Sequence, residues 1–185
     1  MADGTLKVGT ITTSSGSGTI TIGQSGETVT IPSGATVSGA GANTPYFKAG
    51  VTQMSLAYNT VTKITYDTEK TDTDGAYDTT NSRFTVPTGK GGTYHIGAWY
   101  RVGTGTDSES FEIYLYKNGS LLEAAEDLAG QSVNQGYNSV SMFGTVTLSA
   151  GDYLECYAKQ AYTSGAHNIG YSSEGRFFGY KLIGA

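Results

Sequence analysis

"TGKGGTYHIGAWYRV", residues 88–102, passes from a glycine-rich turn into a strict alternation. Tyr94, Ile96, Ala98, Tyr100 and Val102 fall on one side, and Thr93, His95, Gly97, Trp99 and Arg101 on the other. A period of two is that of a half-buried β-strand. Taken alone, the stretch fits an ordinary sandwich strand, an aromatic surface that reads sugars, or one strand of a known fold. Its surroundings decide.

Working outward, strand-like segments recur at 44–50, 60–67, 82–102, 110–122, 138–160 and 175–184. In 111–116, Phe111, Ile113 and Leu115 alternate with Glu112, Tyr114 and Tyr116, and "KNGS" then supplies the Asn-Gly of a tight hairpin. "LLEAAEDLAG" (121–130) is the one helix-like piece, and it reads equally as a strand continuing from that hairpin. Composition agrees with an all-β chain: 27 glycines, 14 tyrosines and only 15% charged residues suit pleated surfaces joined by tight turns. Short strands without covering helices predict an antiparallel sandwich or barrel.

Charge and composition exclude several classes of function. A net charge of −5, with 11 scattered basic residues, is wrong for a phosphate-backbone partner, so no nucleic acid is expected. Apolar runs fall far short of the ~20 residues that span a bilayer, and no membrane insertion is expected. "MADGTLKVGT" lacks a basic region followed by an apolar one, and a single cysteine allows no intrachain disulfide. Synthesis in a reducing cytoplasm is the expectation. Cys156 shares a face with Leu154 and Ala158, which predicts a small core residue and not a nucleophile.

Residues 1–44 have a different texture. They hold no aromatic residue, and "TIT" at 10–12 returns as "TIT" at 19–21, "TVT" at 28–30 and "TVS" at 36–38. Each copy reads as a very short strand with aliphatic teeth: Ile11, Ile20 with Ile22, Val29 with Ile31, and Val37. Strands this short need stacking, or a partner chain, to bury their teeth. The expected organisation is an anchoring arm at 1–44 and a knob at 45–185.

Several knob motifs, in order, resemble the complement C1q/tumour necrosis factor-like jelly roll. They are Tyr46–Phe47–Lys48–Ala49, then Tyr77–Asp78, then Phe84–Thr85–Val86–Pro87 with Gly89, Gly92 and Tyr94. Lys117–Asn118–Gly119, Leu148–Ser149–Ala150–Gly151–Asp152 and Phe177–Phe178–Gly179–Tyr180–Lys181–Leu182 follow. The resemblance covers about residues 45–185. It implies a ten-stranded antiparallel jelly-roll sandwich, usually a homotrimer, with Phe47, Phe84, Tyr94, Ile96, Phe177, Gly179 and Tyr180 in the core or the trimer contact. His95, Trp99 and Arg101 then lie on the outer or subunit-facing side. The aromatic surplus agrees, since flat side chains with a polar tip suit buried interfaces.

Catalysis is not expected. His95 and His167 stand in no metal-ligand spacing, no G-x-S-x-G elbow occurs, and Glu123 with Glu126 is an ordinary surface pair. "TDTDGAYD" (71–78) fails as an EF-hand, because its glycine falls at position four and Arg83 at position twelve. A simpler calcium site from Asp72, Asp74 and Asp78 competes with a plain Asp/Gly turn. No cofactor is expected.

The repeat arm joined to this knob resembles tail-fibre, head-fibre and decoration proteins of bacteriophages. Even fully extended, 44 residues reach only ~150 Å, too short for a long shaft. The leading expectation is a non-enzymatic, homotrimeric virion protein, a capsid decoration or head-fibre knob made in the host cytoplasm. Its arm would hold the major capsid protein or another virion protein. One alternative is a tail-fibre or spike tip that meets a host-surface glycan or receptor through Trp99, Tyr162 and Tyr171. Another is a soluble bacterial C1q-like lectin.

Overall fold

A computed structural model describes residues 9–13, 18–31, 33, 43–103, 109–129, 137–161, 166–170 and 173–182. The chain divides into two compact units, Met1–Ala40 and Gly41–Ala185.

The first unit contains no strand among its described residues. Its clearest feature is a turn at Gln24–Glu27: the Glu27 amide donates to the Gln24 carbonyl at 3.0 Å, and the Gln24 amide to Glu27 Oε2 at 2.6 Å. Gly26 supplies the positive φ of 90° that such a turn needs at its third position. The teeth Ile11, Ile20, Ile22, Val29 and Ile31 all lie open to solvent, Ile22 at 67%. The short strands expected there do not form within one copy, since a segment of two to four residues has no ladder of its own. Val37 lies outside the described residues.

The second unit is all-β. Its strands are β1 (Tyr46–Gly50), β2 (Met54–Leu56), β3 (Thr62–Lys63), β4 (Thr68–Asp72), β5 (Tyr77–Asp78), β6 (Arg83–Thr85) and β7 (Gly92–Gly103). There follow β8 (Glu109–Lys117), β9 (Ser120–Ala129), β10 (Tyr137–Leu148), β11 (Tyr153–Gln160), β12 (His167–Ile169) and β13 (Gly175–Lys181). A seven-stranded sheet runs β2-β12-β7-β13-β1-β4, with β10 on the other edge of β7. A six-stranded sheet runs β5-β6-β11-β8-β9, with β3 also on β11.

Among the described residues thirteen strands are assigned, where the resemblance implies ten. The excess comes from short pieces laid end to end. Val102 pairs with β12 on the same edge of β7 where Tyr94 to Tyr100 pair with β13. In the same way β3 and β6 share the edge of β11 opposite β8. "LLEAAEDLA" is strand and not helix, because pairing with β8 across its length overrides the helix propensity of Leu, Glu and Ala. The β8–β9 turn is of the mirror-image type, with φ 52° at Asn118 and 78° at Gly119.

The core lies between the sheets. Tyr94, Ile96, Ala98, Tyr100 and Val102 of β7 are all buried, as are Phe47, Phe84, Phe111, Ile113, Cys156 and Phe177. Phe47 stacks on Phe84 at 4.3 Å and meets Phe177 edge-on at 4.9 Å. Four of the tyrosines are core residues whose hydroxyls end on backbone carbonyls. Tyr66 donates to Trp99 at 3.0 Å, Tyr77 to Tyr66 at 2.8 Å, Tyr94 to Lys90 at 2.6 Å and Tyr100 to Glu112 at 2.9 Å. A buried hydroxyl without such a partner would be costly. Burial, with a smaller effect from Asp74, pushes the Tyr94 hydroxyl up to about 12. Tyrosine richness therefore has an interior cause as well as a surface one.

Candidate functional site

Alternation on β7 turns the second set of the opening stretch outward, and the register of the neighbouring strands lines it up in rungs. Tyr46, Tyr180, His95 and Thr145 form one; Lys48, Phe178, Gly97 and Phe143 the next; Gly50, Arg176, Trp99 and Ser141 the third. His95 sits 5.3 Å from Tyr180 and 6.4 Å from Phe178, which is 6.2 Å from Phe143. Farther along, the Arg101 guanidinium lies 3.9 Å over the Tyr137 ring. Phe143 is 57% exposed and Tyr137 42%.

Gly97 makes this face possible. A Cβ there would stand 2.4 Å from Phe178 Cζ and 2.7 Å from Phe143 Cδ1, so the two phenyl rings occupy the space of the missing side chain. Gly50 is a second such floor, with Lys70 Cε and Arg176 Nη1 at 3.2 and 3.6 Å from the point a Cβ would take. The result is a half-exposed aromatic surface set among cations.

The outward face of the six-stranded sheet is built differently. Its cations are matched: Glu155 Oε1 receives Lys63 Nζ and Arg83 Nη2, both at 2.7 Å, and Glu112 receives Lys159 at 2.8 Å. Asp152 receives Lys117 at 2.8 Å. Arg83 also lies 3.9 Å over Tyr153, and Tyr116 meets Tyr157 at 4.4 Å. Burial alone would raise the Glu155 carboxyl, but the hydrogen bonds from Lys63 and Arg83 outweigh it and hold it below the usual range. Hydrogen bonds from Lys117, Asn118 and the Ser149 amide hold Asp152 at about 2. This face is satisfied by its own residues.

No catalytic arrangement forms among the described residues. Cys156 is fully buried, and burial pushes its thiol well up. His95 belongs to the aromatic rungs, and His167 packs edge-on against Phe111 at 5.1 Å. Of Glu123 and Glu126, the side chain of Glu126 lies outside the described residues.

The calcium candidate also resolves into turn chemistry. Asp72 accepts the amides of Asp74 at 3.2 Å and Tyr77 at 2.7 Å. Asp78 accepts from the Asn81 amide and side chain at 3.0 and 2.6 Å. Asp74 meets Lys90 at 3.2 Å. Among the described residues no three metal-ligating side chains come together.

The sequence-derived set divides accordingly. Phe47, Phe84, Tyr94, Ile96 and Phe177 lie in the core, and Gly179 faces inward beside Ile96 and Phe47. Tyr180 and Trp99 stand on the outward aromatic face. Tyr162 and Tyr171 lie outside the described residues. Phe143, Phe178 and Tyr137 were missed, although alternation within "YNSVSMFGTVTL" would have exposed Phe143 as an outward aromatic.

No protein-family model matches the chain, and no curated protein does. Among solved structures, the chain is similar to the globular domain of zebrafish complement 1qA protein, at 16% identity and a TM-score of 0.51. That match covers 75% of this chain and 97% of the zebrafish domain. At such identity the likeness concerns the fold, and it supports a C1q-like jelly roll.

Proposed function

We propose that this chain is a non-enzymatic, homotrimeric structural protein of a bacteriophage virion. Its second unit would be a knob displayed on the capsid as a decoration or head fibre. The observation that carries the reading is the aromatic face of the seven-stranded sheet, where Phe143 is exposed and Tyr137 partly so, beside Tyr46, His95, Trp99, Phe178 and Tyr180. Such a patch, rimmed by polar groups, is characteristic of a contact surface. The C1q-like fold supports threefold assembly as its form.

The arm supplies the attachment. Its solvent-exposed Ile20, Ile22, Val29 and Ile31, spaced by threonines and glycines, suit strand addition to a neighbouring virion protein. Three arms per knob would turn weak contacts into firm ones. The position of Trp99 within the aromatic face favours assembly over receptor contact for that residue. Deleting residues 2–40 tests the attachment: the truncated knob is expected to stay trimeric and to lose its place on particles. Undiminished occupancy would refute the anchoring role.

A further inference from the structure

Two turns of the knob are locked into each other through Asn118, the first central residue of the β8–β9 turn. Its backbone amide donates to the Tyr153 carbonyl at 3.0 Å. Its side-chain Oδ1 accepts the Tyr153 amide at 2.9 Å, and Nδ2 donates to Asp152 Oδ1 at 2.8 Å. A backbone N–H only donates and a carboxylate only accepts, so these partners force the orientation of the Asn118 side chain. Asp152 is tied down in turn, its Oδ2 receiving the Ser149 amide and Lys117 Nζ, both at 2.8 Å. Its carbonyl accepts the Val86 amide at 2.8 Å, which joins the end of β6 to the same knot.

Asparagine followed by glycine is the dipeptide most prone to rearrange its own backbone. Once the Gly119 nitrogen has given its proton to hydroxide it can attack Asn118 Cγ, and glycine has no side chain to hinder the approach. A C–N bond closes a succinimide ring, the Cγ–Nδ2 bond breaks, and the side-chain nitrogen leaves as ammonia with a proton taken back from water. Water then opens the ring at one carbonyl or the other. The product is aspartate, or an isoaspartate whose backbone runs through the side chain. The attack needs its two atoms in near contact and aligned. Here the side-chain amide is drawn by both its ends toward Asp152 and Tyr153, while φ of 52° and 78° fix the turn around the Gly119 peptide. Tyr153 also leans over the glycine, its Oη 3.4 Å from the point a Cβ would take.

We infer that Asn118 is a self-modification site, held silent by the folded knob and reactive when the β8–β9 turn parts from the β10–β11 turn. The product has no way back into its place. An aspartate would set a carboxylate against Asp152 Oδ1, where Nδ2 now donates. Asp152 stays ionised there, because Lys117, Asn118 and the Ser149 amide hold it at about 2. An isoaspartate lengthens the backbone inside a two-residue loop that sets the register of β8 on β9. The change is one-way, and it records how often the interlock has opened. It belongs to the single chain and does not depend on assembly.

Incubating the full chain at mildly alkaline pH, native and unfolded in urea, tests this, with isoaspartate at position 118 counted by peptide mapping. The native chain is expected to react at least about tenfold more slowly, since reaction waits on local opening. An Asp152→Ala chain with a native circular dichroism spectrum should react several-fold faster than wild type. Lys117→Met, which leaves the Asp152–Asn118 bond in place, should stay near the wild-type rate. Equal rates in the native and unfolded wild type would overturn the inference. A folded Asp152→Ala chain no faster than wild type, or an equal acceleration by Lys117→Met, would overturn the part given to the Asp152 bond. Asn118→Asp installs the first product directly. It should lower the urea midpoint at neutral pH or prevent folding, and an unchanged midpoint would overturn the one-way consequence.

Discussion

Replacing Phe143 with serine should separate assembly from folding. The residue is 57% exposed in the single chain. With ~200 Å² of surface on a phenylalanine, roughly 110 Å² is left for a partner to cover. At ~25 cal/mol/Å² that is about 3 kcal/mol per copy, or about 8 kcal/mol over three. A trimer dissociates with the square of concentration, so the midpoint should rise by roughly three powers of ten at ~1.4 kcal/mol per decade. The dissociated monomer should meanwhile lose about 2 kcal/mol by the same measure, because the ~90 Å² of the ring already covered over Gly97 and against Phe178 is given up. Sedimentation equilibrium across a concentration series gives the first quantity, and urea unfolding below the midpoint the second. A midpoint that moves less than tenfold would refute the assignment of this face. A loss of several kcal/mol in urea would show instead that Phe143 belongs to the core.

Three further outcomes follow from the interior. Gly179→Ala would set a methyl 2.4 Å from Ile96 Cδ1 and 2.9 Å from Phe47 Cε1, so about 1–3 kcal/mol of stability should be lost in urea with an unchanged slope. Glu155→Gln leaves Lys63 and Arg83 without their carboxylate. Each is about one-third exposed, so water softens the loss to about 1–2 kcal/mol at neutral pH. The Glu155 carboxyl is depressed in the folded state, so its contribution is present above the ordinary glutamate value of ~4.3 and fades as pH falls through the lower folded value. Accordingly the variant should show a shallower loss of melting temperature between about pH 5 and 3, and an identical acid profile would contradict the role given to this carboxylate. Cys156, buried with its thiol pushed up, should react with a thiol reagent only at the rate of global unfolding. Rapid labelling of the native chain would contradict that burial.

Much of the knob is legible in the sequence because its long strands carry strict alternation. β7 divides cleanly into Tyr94–Val102 inward and His95–Arg101 outward, and Asn118–Gly119 announces its turn. The short strands β4, β5 and β12 carry no such signal, since two to five residues of mixed polarity owe their form to ladder partners far away in the chain. β9 shows the same override, spelled in helix-forming residues and fixed as strand by β8. For the candidate site, alternation places Trp99 and His95 outward. Only register shows that Phe178 and Phe143 fold over Gly97 and that Arg176 stands beside Trp99. The ion pairs of the six-stranded sheet were invisible in the sequence, because the pairing of a lysine depends on contacts as distant as Lys63 with Glu155.

Mass by light scattering on the purified full chain, at micromolar concentration, bears most directly on the idea that the aromatic face is covered by copies of the same chain. The expected mass is about three times the 19.3 kDa of one copy, held on dilution until a cooperative dissociation. A stable, sharply melting species at 19.3 kDa across the whole range would contradict it.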